Sequence, residues 1–211
     1  MNSPKKGKTI FIFSIFFVVL IVFLYFMFTG NKNIKNYPSE GEDIIAFGDS
    51  LVEGVGASSE ENNFVSLLGE KIGKPIINLG VSGNTTEDGL ERLNELDEYN
   101  PKIVLLLLGG NDHLKKVPRE TTFQNLGKII ENIQARGAVV ILLGVRGNLF
   151  VDGFDEEFEK LESKYKTAYV SDVLDGLFNN TKYMSDVIHP NDLGYEKIAL
   201  RIYPVLLEVL E

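Results

Sequence analysis

The most restrictive feature of this chain is the stretch at residues 103–108, IVLLLL, which has no polar position. A strand with one face in water alternates apolar and polar side chains, whereas a strand without alternation needs cover on both faces. Residues 138–143 (AVVILL) read the same way, and shorter runs stand at 43–47 (DIIAF), 75–79 (PIINL) and 167–170 (TAYV). Apolar residues at helical spacing separate these runs: Phe64, Val65, Leu68 and Ile72; Leu90, Leu93 and Leu96; Leu126, Ile130 and Ile133; Phe154, Phe158, Leu161 and Tyr165. A last helix from about Asn191 would turn Tyr195, Ile198, Ile202 and Leu206 inward, with a bend at Pro204. Capping boxes are expected at Ser58-Ser59-Glu60-Glu61 and Thr121-Thr122-Phe123-Gln124, a cap at Thr85 or Thr86, and a stop at Arg136-Gly137. Strand–helix alternation throughout predicts an α/β domain: a five-stranded parallel sheet with helices on both faces.

Sites in such folds form beyond the carboxyl ends of the strands. Gly48-Asp49-Ser50-Leu51 follows the first strand, Gly80-Val81-Ser82-Gly83-Asn84 the second and Gly109-Gly110-Asn111-Asp112 the third. A fourth cluster, Asp186-Val187-Ile188-His189-Pro190, precedes the last helix. Taken singly, these are a helix cap, two turns and the approach to a helix. Together they supply what ester hydrolysis needs: a hydroxyl nucleophile, a base held in one tautomer, and fixed donors for an oxyanion. Ser50 can attack, His189 can take its proton, and Asp186 can hold the other ring nitrogen. The N–H groups of Ser50 and Gly83 and the side-chain amide of Asn111 can form the oxyanion hole. Gly83 carries no side chain to obstruct that approach.

Composition removes other classes. Of 21 basic residues, five lysines lie before residue 38, leaving 16 Lys and Arg against 30 Asp and Glu in the body, a net of −14 that disfavours nucleic acid. There is no cysteine, so disulfides, thiolate metal sites and cysteine nucleophiles are excluded. Two histidines, 113 and 189, are too few for a His-rich metal site. Gly54-Val55-Gly56 lacks the remainder of a nucleotide-binding loop.

The N-terminus differs from the body. Lys5, Lys6 and Lys8 precede an uncharged apolar run at residues 10–28. At 1.5 Å per residue that run spans ~28 Å, about one hydrocarbon core. It ends in Tyr25-Phe26-Met27-Phe28-Thr29-Gly30, a poor processing site. Residues 1–30 therefore read as an uncleaved transmembrane signal anchor, inside at its N-terminus, with a secreted body if it is cleaved. Residues 31–41 (NKNIKNYPSEG) read as a polar tether, and 42–211 as the catalytic domain.

Gly48-Asp49-Ser50-Leu51, Gly83, Gly110-Asn111-Asp112 and Asp186-x-x-His189-Pro190 resemble the four sequence blocks of the SGNH (GDSL-type) hydrolases, over essentially the whole body. The run 78–86 (NLGVSGNTT) is similar to the second block of the bacterial thioesterase I/lysophospholipase L1 and arylesterase branch. The resemblance implies a three-layer α/β/α sandwich of flavodoxin-like type. It implies Ser50 as nucleophile, Asp186 and His189 as its triad partners, and Ser50, Gly83 and Asn111 as oxyanion donors. No metal or organic cofactor is implied. The lipase elbow Gly-x-Ser-x-Gly is absent around Ser50. Asp49, Leu51, Leu149 and Phe150 are candidates to line the substrate site. The expected activity is hydrolysis of small-molecule or lipid acyl esters or thioesters. A carbohydrate O-deacetylase and a non-catalytic binding module are the alternatives. His113, directly after the third block, is either a rim contact or a locally bonded loop residue.

Overall fold

A computed structural model describes residues 34–145 and 154–210. The strands are β1 (Asp43–Gly48), β2 (Ile77–Gly80), β3 (Pro101–Leu107), β4 (Val139–Leu143) and β5 (Ala168–Val170). They form one parallel sheet in the order β2-β1-β3-β4-β5. The strands β3 and β4, apolar throughout 103–107 and 139–143, thus stand in the interior of the sheet. Alternate side chains serve two cores. Ile44, Ala46, Leu105 and Ile141 face one core, and Ile45, Phe47, Leu106 and Leu142 the other.

Helices cover both faces, which gives the three-layer sandwich. Helix α1 (Ser50–Glu53) follows β1, and α2 (Phe64–Ile72) packs on the first face. Two elements, α3 (Thr86–Glu91) and α4 (Gly110–Leu114), follow β2 and β3. Helices α5 (Arg119–Ala135) and α6 (Phe154–Tyr165) cover the second face, and α7 (Asp192–Leu210) returns to the first, continuing through Pro204. Full burial of so many aliphatic side chains, at about 1.5–3 kcal/mol each, is the main source of stability.

Several helix starts differ from the expected ones. Ser59 precedes only a 3₁₀ turn at Glu60–Asn62 and makes no side-chain cap bond. Asn63 caps α2 instead, accepting from Ser66 N at 2.9 Å. Ser58 is drawn to Asp192, 134 residues away: its Oγ donates to Oδ2 at 2.6 Å and its N–H to Oδ1 at 2.7 Å. The expected box at Thr121–Gln124 lies inside α5, whose N-cap is Pro118. Pro118 has no N–H to give a preceding helix carbonyl, which suits it to the start of the helix. Thr85 does cap α3, in a reciprocal box with Asp88. That helix is shorter than expected: it ends at Glu91, and Leu93 and Leu96 belong to a separate 3₁₀ segment, Leu93–Glu98.

Residues 34–41, read as part of a tether, lie against the domain. Lys35 N donates to Lys166 O, Ser39 Oγ to Gly137 O, and Asn36 Nδ2 to the carbonyls of Gln134 and Ala138. Ile34 and Tyr37 pack on the first core. All these partners lie near the amino ends of β4 and β5, away from the loops that carry the chemical residues. The expected membrane segment, residues 10–28, lies outside the described residues; among those described, no helix is long and apolar enough to cross a membrane.

If Asn63 is the true cap, Asn63→Ala should lose about 1 kcal/mol and Ser59→Ala less than about 0.5 kcal/mol. Urea unfolding of both variants checks this, and equal losses would contradict the assignment.

Candidate active site

The sheet order creates the site. β1 connects to β2 on one side, and the chain then crosses to β3 on the other, so β1 and β3 flank a switch point. Loops leaving β1, β2 and β3 must therefore meet above β1.

Ser50 is the first residue of α1, directly after Asp49, whose extended backbone and Oδ1 cap the helix through Leu51 N at 3.0 Å. A first-turn N–H has no helix carbonyl behind it, so that of Ser50 is available for an external acceptor. Ser50 Oγ lies 3.1 Å from His189 Nε2. His189 Nδ1 lies 2.8 Å from Asp186 Oδ2. The other carboxylate oxygen, Oδ1, accepts from the N–H groups of both Ile188 and His189 at 2.7 Å. These bonds, that from the imidazole foremost, hold the Asp186 carboxyl down at about 2. The carboxylate is thus charged and can only accept. The proton of the neutral imidazole then sits on Nδ1, and the Nε2 lone pair faces the Ser50 hydroxyl.

The His189 loop closes on itself. Ser185 N donates to His189 O at 2.9 Å, and Met184 and Pro190 form an antiparallel bridge. Its seat is the segment Gly54-Val55-Gly56, excluded from the sequence as a nucleotide site. Gly56 has φ +96°, and a Cβ there would collide with Ser185 Oγ and Pro190 O. Tyr195 OH donates to Val55 O at 2.7 Å. Burial pushes that phenol well above its ordinary pKa, so it remains a donor.

The loop after β2 lies opposite. Gly83 has φ +79°, but a Cβ there would meet nothing within 4 Å. Conformation, rather than crowding, is what requires glycine. Lys115 Nζ donates to Gly83 O at 2.9 Å, fixing the orientation of that residue from α4. Asn111 Nδ2 donates to Asn84 O at 3.0 Å and has a longer contact, 3.4 Å, to Asp49 Oδ2. Buried Asp112 accepts from Thr86 N at 2.8 Å and Thr86 Oγ1 at 2.5 Å, joining the third block to the start of α3. Ser50, Asp186, His189, Gly83 and Asn111 all belong to loops that converge here.

Beside Ser50 lies a small apolar pocket lined by Leu51, Leu114, Val145, Leu174, Phe178 and Ile188, with Asp49 and Asn111 at its polar end. Two of the expected lining residues, Asp49 and Leu51, border it; Leu149 and Phe150 lie outside the described residues. Sequence reasoning missed the others. Ile188 was legible in principle, because its neighbour His189 must face Ser50. Leu174 and Phe178 lie in a loop after β5 that carried no signal. His113 is half-buried with its ring edge-on to Phe154 at 5.6 Å and does not line the pocket.

Asp49 is only 3% exposed. Burial raises its carboxyl from 3.8 to about 7, against the opposing bond from Leu51 N and the nearby His189. Between those values the folded protein binds more protons at this group than the unfolded chain does. Its contribution to stability is therefore present below about pH 4 and falls as pH rises toward 7. Asn can keep the cap without ionising. The Tm of Asp49→Asn relative to wild type should therefore increase from pH 4 to pH 8, measured by thermal denaturation; a pH-independent difference would contradict the assignment.

Residues 46–197 match the GDSL-like Lipase/Acylhydrolase family. The chain is 31% identical to an arylesterase of Vibrio mimicus over 170 residues, covering 75% of this chain and 84% of the relative. It is 28% identical to thioesterase 1/protease 1/lysophospholipase L1 of Escherichia coli K12 over 159 residues, 71% of this chain and 76% of the relative. The crystal structure of the psychrotrophic esterase EstA from Pseudoalteromonas sp., inhibited by monoethylphosphonate, superposes with a TM-score of 0.72 at 26% identity, covering 80% of this chain and 98% of that one. With its family match spanning most of the folded body and its hydroxyl–imidazole–carboxylate line built from the first and last of the four expected clusters, this chain belongs to the GDSL-like lipase/acylhydrolase family and is a serine ester hydrolase.

Proposed function

We propose that Ser50 is the nucleophile of a two-step acyl transfer, on the strength of one observation: its Oγ, His189 Nε2 and the Asp186 carboxylate form an unbroken hydrogen-bonded line. Ser50 Oγ attacks the ester carbonyl while His189 Nε2 accepts its proton, and ionised Asp186 stabilises the imidazolium. The developing oxyanion takes the N–H groups of Ser50 and Gly83 and one N–H of Asn111. Asn111 can offer that N–H because its contact to Asp49 is long, while its bond to Asn84 O fixes the amide. The tetrahedral adduct collapses and His189 protonates the leaving alcohol or thiol. Water activated by His189 then attacks the acyl-Ser50 carbonyl, releasing the acid and restoring the hydroxyl.

The acyl portion is assigned to the pocket beside Ser50, whose volume of about 30 Å³ and six apolar side chains favour a short hydrocarbon chain over a glycan. The names of the relatives, an arylesterase and a thioesterase/lysophospholipase, support aryl, thio- and lysophospholipid esters as the classes to test. Each methylene buried in the pocket contributes ~0.8 kcal/mol, about fourfold in kcat/KM until the pocket is full. On a series of p-nitrophenyl esters, acyl thioesters and lysophospholipids, the full-length protein should be active and prefer longer chains than acetate. Ser50→Ala should fall to background, and Asn111→Ala should lose about 10²–10³ in kcat. Near wild-type turnover by Ser50→Ala would end this reading, and a preference for acetylated glycans would redirect it to a deacetylase.

The apolar run at 10–28, with lysines before it, supports a domain anchored on the outer side of a cytoplasmic membrane. Protease added to intact cells should digest the catalytic domain; a protected domain would refute that orientation.

A further inference from the structure

Arg92 stands between α3 and the 3₁₀ segment that follows it, 42 residues beyond Ser50 in sequence, and no chemical motif includes it. Its side chain is only 12% exposed. Nε donates to Asn84 Oδ1 at 2.7 Å. Nη2 donates to two carbonyls at once, Gly48 O at 2.8 Å and Leu79 O at 2.9 Å. Nη1 pairs with Glu95 at 2.9 Å, and the guanidinium lies over the Phe47 ring, 3.9 Å from its centre. A planar fork of donors can satisfy three acceptors from three chain segments in one plane; a lysine ammonium on a flexible stem cannot.

The three acceptors are informative. Gly48 is the end of β1, two residues before Ser50. Leu79 lies in β2, just before the loop that carries Gly83. Asn84 is a junction: its side chain is held by Arg92, and its main-chain oxygen receives the amide of Asn111 at 3.0 Å. A two-link path therefore runs from a buried cation through Asn84 to Asn111.

We propose that Arg92 is a positioning residue for the oxyanion hole: by holding Asn84 against the ends of β1 and β2, it sets the Asn111 amide relative to Ser50. This rests on the reading of Asn111 as an oxyanion donor. Arg92 does not reach the reacting atoms. Its effect is on transition-state geometry, where small misplacement is costly and ground-state binding is little changed.

The test is a double-mutant cycle on the full-length protein with p-nitrophenyl butyrate, using Arg92→Lys, Asn111→Ala and the pair, with Tm as a control for folding. Arg92→Lys should lower kcat about tenfold or more while KM stays within about threefold. In the Asn111→Ala background the same change should cost less than about threefold, because the amide it positions is gone. Asn84→Ala cuts the path while leaving Arg92 bonded to Gly48 and Leu79. It should lower kcat to a similar extent, and it keeps the proposal testable if Arg92→Lys fails to fold. Wild-type kcat in either Arg92→Lys or Asn84→Ala would overturn the proposal. So would an equal loss from Arg92→Lys in both backgrounds, which would mark an effect independent of Asn111. An Asn111→Ala variant with undiminished kcat would instead refute the oxyanion reading itself, and that arm is read separately.

Discussion

The burial of β1, β3 and β4 on both faces is the constraint from which the rest follows. Strands whose central residues are apolar on both faces have no tolerable place at an open surface, so helices must cover them above and below. Once β1 lies between β2 and β3, the loops leaving those three strands have one place to meet. Every group with a chemical role, apart from the His189 loop, leaves the sheet at that place. The catalytic geometry is thus downstream of hydrophobic burial, which carries no information about esters.

Two devices turn that convergence into fixed geometry. On the base side, the 184–190 loop is closed by its own backbone bonds and seated on Gly56, so the imidazole reaches across 139 residues to Ser50. On the side of the proposed oxyanion donors, the loop after β2 is held from several directions. Arg92 grips it from within, Asn111 takes the Asn84 carbonyl, and Lys115 takes that of Gly83. Preorganised donors of this kind need no reorganisation as charge develops. Asp49 lies between the two sides, a buried carboxyl that caps the helix beginning at Ser50 and borders the Asn111 amide.

The strands, their parallel arrangement and the Ser50, Asp186 and His189 candidates were legible because each rests on a local pattern: uninterrupted aliphatic runs, apolar residues at helical spacing between them, and short polar clusters. The helix starts were less so. Ser58-Ser59-Glu60-Glu61 has the composition of a cap, yet Ser58 is taken by Asp192 from the far end of the chain. The use of Gly54-Val55-Gly56 as the seat of the His189 loop depends on a residue pair more than 100 positions later.

From the sequence alone came the α/β class, the order of the chemical blocks and the candidates Ser50, His189 and Asp186. Those depend on which side chains exist and on their spacing along short stretches of chain. Only the tertiary structure decided which carbonyls Arg92 would gather, which apolar residues would line the pocket beside Ser50, and that Asn84 would link the Arg92 guanidinium to the Asn111 amide. Such contacts join segments far apart in sequence. Their partners are chosen by how the sheet brings strand ends together, so no local pattern records them.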